Sequence, residues 1–391
     1  MLKCACLCTF ELDHPELALG EIKTQLEQEL VLQKYSIGIV MCHPEFIPSG
    51  IVRHLSDNLP FPIVGATTSS QCVNDHVGNL VLTIFVMTSD DIQFFTGATD
   101  PVDEDVEGPV KTAFAKVLPE SVPSPKLAIV FPPLILKYPG EVYIRACEQV
   151  TPGVPIFGTI AIDDSISFED SQTIFSGESY KNSMTFVLCC GNINPRFLIG
   201  TLPLDNALPF ISTVTKSNGP FVHEINDINA YKYFKSIGST DSGTLAENYR
   251  FIPFAIHQRK RTDYDGIPVI RGVATFTEEG VAIFRGDVDE GSTFTILTND
   301  GQDVLESSRQ QAERINQMED VAGVLIFSCI ARQMSTMYPD PVAELRLVKD
   351  TISPSIPFMM GYAGGEICPT SIKNGIPVNR FHNSSLIILV V

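Results

Sequence analysis

Three times along this chain an apolar run of buried-strand type is followed, about one helix later, by a short strand that opens on proline and closes on glycine. The runs are Ile37–Cys42, Leu127–Phe131 and Gly323–Cys329. The strands that follow are Pro62–Gly65, Pro155–Gly158 and Pro357–Gly361. Short continuous apolar runs are the pattern of strands covered on both faces. Each copy ends on a further strand-like run, at Asn79–Val86, Met184–Cys189 and Ser385–Val390. Recurrence of one order of elements predicts an α/β (mixed α+β) chain: tandem repeated α/β sheet units in an N-terminal domain and a mixed sheet in a C-terminal one.

Helical spacing fills the gaps between these strands. Leu17, Ile22, Leu26 and Leu30 recur behind a candidate N-cap at Asp13, and further helices are predicted over 142–149, 225–234 and 302–318. Strands are expected at 269–276, 280–284 and 294–297. Breaker residues set the boundaries. The acidic segment Asp100–Asp105 separates two units of about 1–100 and 107–200 inside a domain of residues 1–210. The stretch 202–220, with Pro203, Pro209, Gly219 and Pro220, leads to a second domain, 216–391.

Charge and cysteine usage narrow the function classes. A formal net charge of -19 repels phosphate backbones and anionic headgroups, which sets nucleic acid aside as a partner. The one basic run, Arg259-Lys260-Arg261, has Asp263 and Asp265 as neighbours and reads as a solvated loop. The N-terminal residues lack the charged and apolar regions of a signal peptide, and no apolar stretch is long enough to span a membrane, so the expected location is the cytoplasm without membrane insertion. The 10 cysteines include no Cys-x-x-Cys pair and read as reduced thiols. Cys4, Cys6 and Cys8 fall on one face of a half-buried first strand, and no metal site is assigned.

Strand ends and tight turns bring polar groups to open space, which directs attention to the three glycine turns. Thr67, Thr68, Ser69 and Gln71 follow Gly65, and Asp163 and Asp164 follow Gly158; together they form a candidate N-terminal site. The third turn gathers more. Tyr362, Gly364, Gly365 and Glu366 lie beside Cys329 and Arg332 at the end of one strand, and beside His382 and Asn383 at the start of another. An arginine fork for a carboxylate and a glutamate for an ammonium group would suit an amino acid or similar zwitterion. The plainer alternative is that Arg332 and Glu366 brace the sheet.

Phe327–Arg332, then Gly361–Ile367, then Phe381–Leu386 resemble the successive motifs of the FIST C-terminal domain, and Arg250–Phe254 and Gly286–Gly291 resemble its earlier blocks. Residues 30–200 resemble the FIST N-terminal domain, with Ser70-Gln71 where the family often has Gly-Glu. The resemblance implies a stand-alone sensory input protein that binds a small ligand such as an amino acid and acts through a separate protein, such as a histidine kinase or cyclase. It also implies an alternative cofactor, haem, with nitric oxide reported to a partner histidine kinase. No Cys-x-x-Cys-His motif is present, so haem would need a non-covalent axial ligand, and His43, His76 and His257 are the candidates. A cysteine-dependent enzyme with Cys329 as nucleophile and His382 as base is the third reading. Gly-x-Ser-x-Gly, the phosphate-binding loop and His-Glu-x-x-His are all missing from the sequence.

Overall fold

The computed structural model describes residues 1–391 except 75, 120, 166, 239–252, 259–265, 299 and 337–338. The basic run Arg259-Lys260-Arg261 and part of the Arg250–Phe254 block therefore lie outside the described residues. Unit 1 runs β1 (Lys3–Thr9), α1 (Pro15–Glu29), β2 (Tyr35–Cys42), α2 (Ile51–Asn58), β3 (Ile63–Thr67), the hairpin β4 (Gln71–Val73) and β5 (His76–Gly78), and β6 (Leu82–Ser89). Unit 2 repeats that order: β7 (Ile92–Ala98), α3 (Glu107–Val117), β8 (Leu127–Phe131), α4 (Gly140–Val150), β9 (Ile156–Thr159), the hairpin β10 (Thr173–Phe175) and β11 (Glu178–Tyr180), and β12 (Thr185–Gly191).

Unit 3 opens with β13 (Arg196–Gly200) and is then interrupted. The insertion carries β14 (Ser212–Asn218), β15 (Phe221–Ile225), β16 (Ile228–Asn229), α5 (Ala230–Ser236), β17 (Phe254–His257), β18 (Val269–Arg271), β19 (Val273–Phe276), β20 (Ala282–Phe284) and β21 (Thr293–Ile296). The unit resumes with α6 (Gly301–Asn316), β22 (Val324–Cys329), α7 (Ile330–Thr336), α8 (Ala343–Thr351), β23 (Phe358–Ala363), the hairpin β24 (Glu366–Lys373) and β25 (Ile376–His382), and β26 (Leu386–Val390).

The sheet orders make the repeat explicit: β1-β6-β2-β3-β10-β11, β7-β12-β8-β9-β24-β25 and β13-β26-β22-β23-β4-β5. In each sheet one unit supplies four strands, and a hairpin from a different unit supplies the last two. Unit 2 lends its hairpin to unit 1, unit 3 to unit 2, and unit 1 to unit 3, so the loans form a closed ring. Gly65 and Gly158 occupy the same register position, opposite the outward-facing Val40 and Val130 in the parallel pairs, whereas Gly361 lies opposite the inward-facing Phe327 and is one residue out of step, with Met360 at the equivalent place. The insertion forms its own eight-stranded antiparallel sheet.

Packing explains why these strands are apolar on both sides. Inward residues of all three sheets, among them Cys6, Ile39, Ile129, Phe157, Phe327 and Ile387, meet in one central core. Outward residues pack beneath α1 and α2, α3 and α4, or α6 and α8. Phe157 stacks on Phe327 at 5.3 Å between centroids, and Phe131 meets the same ring edge-on at 6.0 Å. Cys4, Cys6 and Cys8 share the inner face as expected, but β1 is covered on both faces, because Ala5 and Leu7 pack under the helices.

Other local expectations shift. Helix α1 opens with Pro15 at its first turn, where a fixed φ and a missing N–H cost nothing, and His14 takes the N-cap position expected for Asp13. Leu17 faces solvent, while Ala18, Leu19, Ile22 and Leu26 are buried. The acidic segment 100–105 connects β7 to α3, so the second sheet already begins at Ile92. Residues 212–218, expected in a linker, form β14. Among the described residues no helix is long and apolar enough to cross a membrane.

At Gly65 an added Cβ would fall against the carbonyl of Val40, and at Gly158 against that of Val130. The obstacle is backbone, which cannot swing aside. Gly65→Ala is expected to lower stability by at least about 1–3 kcal/mol, measured by denaturant melting. Gly20→Ala on α1, with nothing within 4 Å of the new carbon, should be neutral or gain up to about 1 kcal/mol. Equal melts for the two variants would contradict the close approach.

Candidate functional site

The three glycine turns meet at one end of the molecule. Thr68 Oγ1 donates to the Tyr362 carbonyl at 2.7 Å and Tyr362 N to the Ser70 carbonyl at 3.2 Å, which joins the first turn to the third. Gly364 N and Ile160 N donate to the carbonyls of Ile160 and Gly365, each at 3.0 Å, joining the third to the second, and Ile162 N donates to the Thr67 carbonyl at 3.3 Å. Gly365 has a φ of 144°, and a Cβ there would strike the Phe381 ring.

The N-terminal candidates are largely spent on this junction. Thr67 Oγ1 bonds the Gln172 backbone, Ser69 Oγ donates to Gln333 Oε1 at 3.0 Å, and Gln71 Nε2 donates to the Val81 carbonyl at 2.7 Å. Asp163 accepts from Ser165 N at 2.6 Å and Asp170 N at 2.7 Å, shaping the loop that follows. Asp164 is exposed and meets His43 Nε2 at 3.2 Å. Each of these atoms is engaged by another part of the protein, in the junction itself or in the loop beside it.

Side-chain alternation divides the C-terminal set. Phe327 and Cys329 face the central core, whereas Tyr362 packs on the outer side under α6 and α8. Arg332 leaves β22 on α7 and meets Glu344 of α8, with Nε–Oε1 at 3.0 Å and Nη2–Oε1 at 2.8 Å. Its Nη2 also reaches Ser307, Ser308 and the Val304 carbonyl, and Ser328 Oγ donates to Glu344 Oε2 at 2.8 Å. Both charges are fully buried. The guanidinium fork expected to hold a ligand carboxylate is filled by a carboxylate of the protein itself. Glu344, which the sequence reading missed, is an acid on the buried side of α8 beside Leu345 and Val348.

Cys329, Glu366, His382 and Asn383 do come together. Glu366 and His382 are direct partners across the β24–β25 ladder and so share one face. Glu366 Oε2 accepts from Ser385 Oγ at 2.8 Å, and the Cys329 thiol bonds the same carboxyl. Burial, only partly offset by these donors, pushes the Glu366 carboxyl up to about 8, so near neutral pH it is largely the uncharged acid. Burial and the neighbouring Glu366 raise the Cys329 thiol too, which opposes formation of a thiolate nucleophile. Glu366 Oε1, Asn383 Oδ1 and Ser384 Oγ find no protein partner among the described residues. Ser384, with a φ of 53°, turns the chain so that these polar groups converge.

Beside this cluster lies a cavity of about 320 Å³. His382 forms part of its lining, Phe197 and Ile199 of β13 one wall, Thr370 another, and Arg314 of α6 stands at it. Ile270 belongs to β18 of the inserted sheet and Pro268 lies just before that strand, so the cavity lies where insertion and repeat body meet. The seam is pinned nearby. Arg271 of β18, buried, pairs with Glu141 of α4 and donates from Nη1 to the Phe381 carbonyl at 3.0 Å, and Arg145 Nη1 bonds Asp287 Oδ2 at 2.9 Å.

The three candidate axial histidines lie in different surroundings. His43 accepts from Glu45 N through Nδ1 and meets Asp164 through Nε2, which occupies both ring nitrogens. His76 stands exposed on a hairpin against Phe10, and His257 is half-buried at the end of β17.

Residues 36–228 match the family model described as the FIST N domain, and residues 229–369 match the one described as the FIST C domain. No curated protein matches the chain.

Proposed function

Because the chain belongs to the FIST family, with the N domain followed by the C domain, we propose that it is a sensory protein that binds a small amino-acid-like metabolite in the cavity beside His382 and passes the signal to a separate protein. Signal transduction and small-ligand sensing are associated with these domains. The single observation that carries the reading is the cavity itself, which falls in the size range of small-molecule sites and joins apolar walls to a few convergent polar groups.

Arg314, exposed and bonded to Gln311 Oε1 at 2.9 Å, takes the carboxylate role first expected of Arg332. His382 and the Thr370 and Thr201 hydroxyls offer partners for an amino group or side-chain polar atoms, and Phe197 and Ile270 cover the apolar part. Glu366, held as the neutral acid directly behind His382, can donate or accept a proton as a charged ligand enters. Since Pro268 and Ile270 belong to the insertion, a bound ligand bridges the inserted sheet and the repeat body. The altered seating of that sheet would be the change a partner such as a histidine kinase or cyclase reads.

Calorimetric titration of the full chain with a panel of amino acids checks this. Arg314→Ala and His382→Ala are each expected to weaken the best ligand by about tenfold or more, and the variant at the exposed Arg314 should melt like the wild type. A ligand bound with equal affinity by all three proteins would remove the cavity from consideration.

A further inference from the structure

A second cavity, of about 400 Å³, lies farther along the same seam, between the loop that follows Gly158 and the inserted sheet. It is separate from the His382 cavity and shares no lining residue with it. We propose that it is a second ligand site, built for a small carboxylate that carries an apolar group.

The argument begins with Phe168. Its φ is 56°, a left-handed conformation that a bulky side chain rarely adopts. Such conformations persist only where the surroundings impose them, and they gather at binding sites. Here the buried Asp163 carboxylate accepts from Ser165 N and Asp170 N, while Ser165 Oγ accepts from Phe168 N at 2.9 Å. The loop is thereby wound so that the Phe168 ring lies beneath the Arg285 guanidinium, whose Cζ is 5.9 Å from the ring centroid. A guanidinium set over a ring face keeps its N–H edge for an anion.

Lys181 adds a second cation to the same cavity, with Nζ donating to the Glu169 carbonyl at 2.9 Å. Two cations on one cavity are notable in a chain of net charge -19. Glu169 also lines the cavity and Asp170 stands 3.8 Å from Lys181 Nζ, so Arg285 is the main anchor. Those acids disfavour multiply charged anions and leave room for a single negative charge. Leu134, Leu136 and Phe168 supply an apolar wall for the rest of the molecule.

The probe is 4-fluorobenzoate, titrated into the full chain and followed by fluorine NMR. Saturable binding is expected, weakened by about tenfold in Arg285→Gln, weakened to a smaller extent in Lys181→Gln, and retained in His382→Ala. Lys181 is exposed, so its variant keeps the fold and the test remains decisive even if Arg285→Gln is unstable. The proposal is overturned if the wild type shows no saturable binding, or if neither cation variant weakens it. It is equally overturned if His382→Ala abolishes binding, which would put the probe in the first cavity.

Discussion

Arg332→Ala is expected to cost about 3–5 kcal/mol of stability, a large part of the roughly 5–15 kcal/mol available to a folded domain. Removing the guanidinium leaves Glu344 charged, buried and without its countercharge, and it strips Ser307, Ser308 and the Val304 carbonyl of a donor. The network ties the outer helices α6, α7 and α8 to β22, a central strand of the third sheet. Urea melts should show the midpoint of Arg332→Ala and of Glu344→Ala collapsing. The double replacement Arg332→Met with Glu344→Leu should recover most of the loss, because an apolar pair of similar volume needs no compensation. An Arg332→Ala protein with a wild-type midpoint would show that the network contributes little and would return Arg332 to the list of ligand groups.

The second large effect is a pH dependence. Glu366 titrates near 4.5 in an unfolded chain and near 8 when folded. Below the lower value both states hold the proton, and the group contributes nothing to the balance. Between the two values the folded state keeps a proton that the unfolded state has released, so stability falls as pH rises. Above about 8 the full cost is present, on the order of a few kcal/mol. Glu366→Gln removes the titration while keeping the shape and an acceptor for Ser385. Thermal melts should show the wild type losing stability from pH 5 to pH 8, a shallower slope for the variant, and the variant as the more stable protein at pH 8. Parallel slopes would mean that Glu366 ionises normally.

The units were legible because their signal is local. A covered strand must be apolar on both faces, and Gly65 and Gly158 are required by a backbone contact that tolerates no side chain. What the sequence could not show is which sheet a hairpin joins, since β10 pairs with a strand more than a hundred residues away and nothing in Thr173–Phe175 encodes that partner. For the same reason the breaker residues at 100–105 and 202–220 do not mark the sheet boundaries, which fall before β7 and β13. The site was half legible. Cys329, Glu366, His382 and Asn383 meet as their motifs suggested, while Tyr362 and Arg332 do not join them. Period-two alternation carries the warning, because Tyr362 precedes Ala363, whose side chain belongs to the central core, and must therefore face the other way. Arg314 and Arg285 were invisible, being ordinary charged residues whose cavities exist only once the insertion docks.

The ring of lent hairpins also bears on how the protein comes apart. A fragment ending after β12 would hold a complete first sheet but leave the β9 edge bare, and its own β4–β5 hairpin would have nothing to join. Cutting between the two matched domains does no better, for residues 228 and 229 are the two residues of β16, and β13 would be severed from β26. Every break exposes an unpaired strand edge, which invites aggregation. The stretches matched by the two family models are thus tied together through shared sheets, in which β26 must be in place before β13 and β22 have a neighbour between them. The cost of such an arrangement is a nascent protein with open sheet edges until β26 has been made.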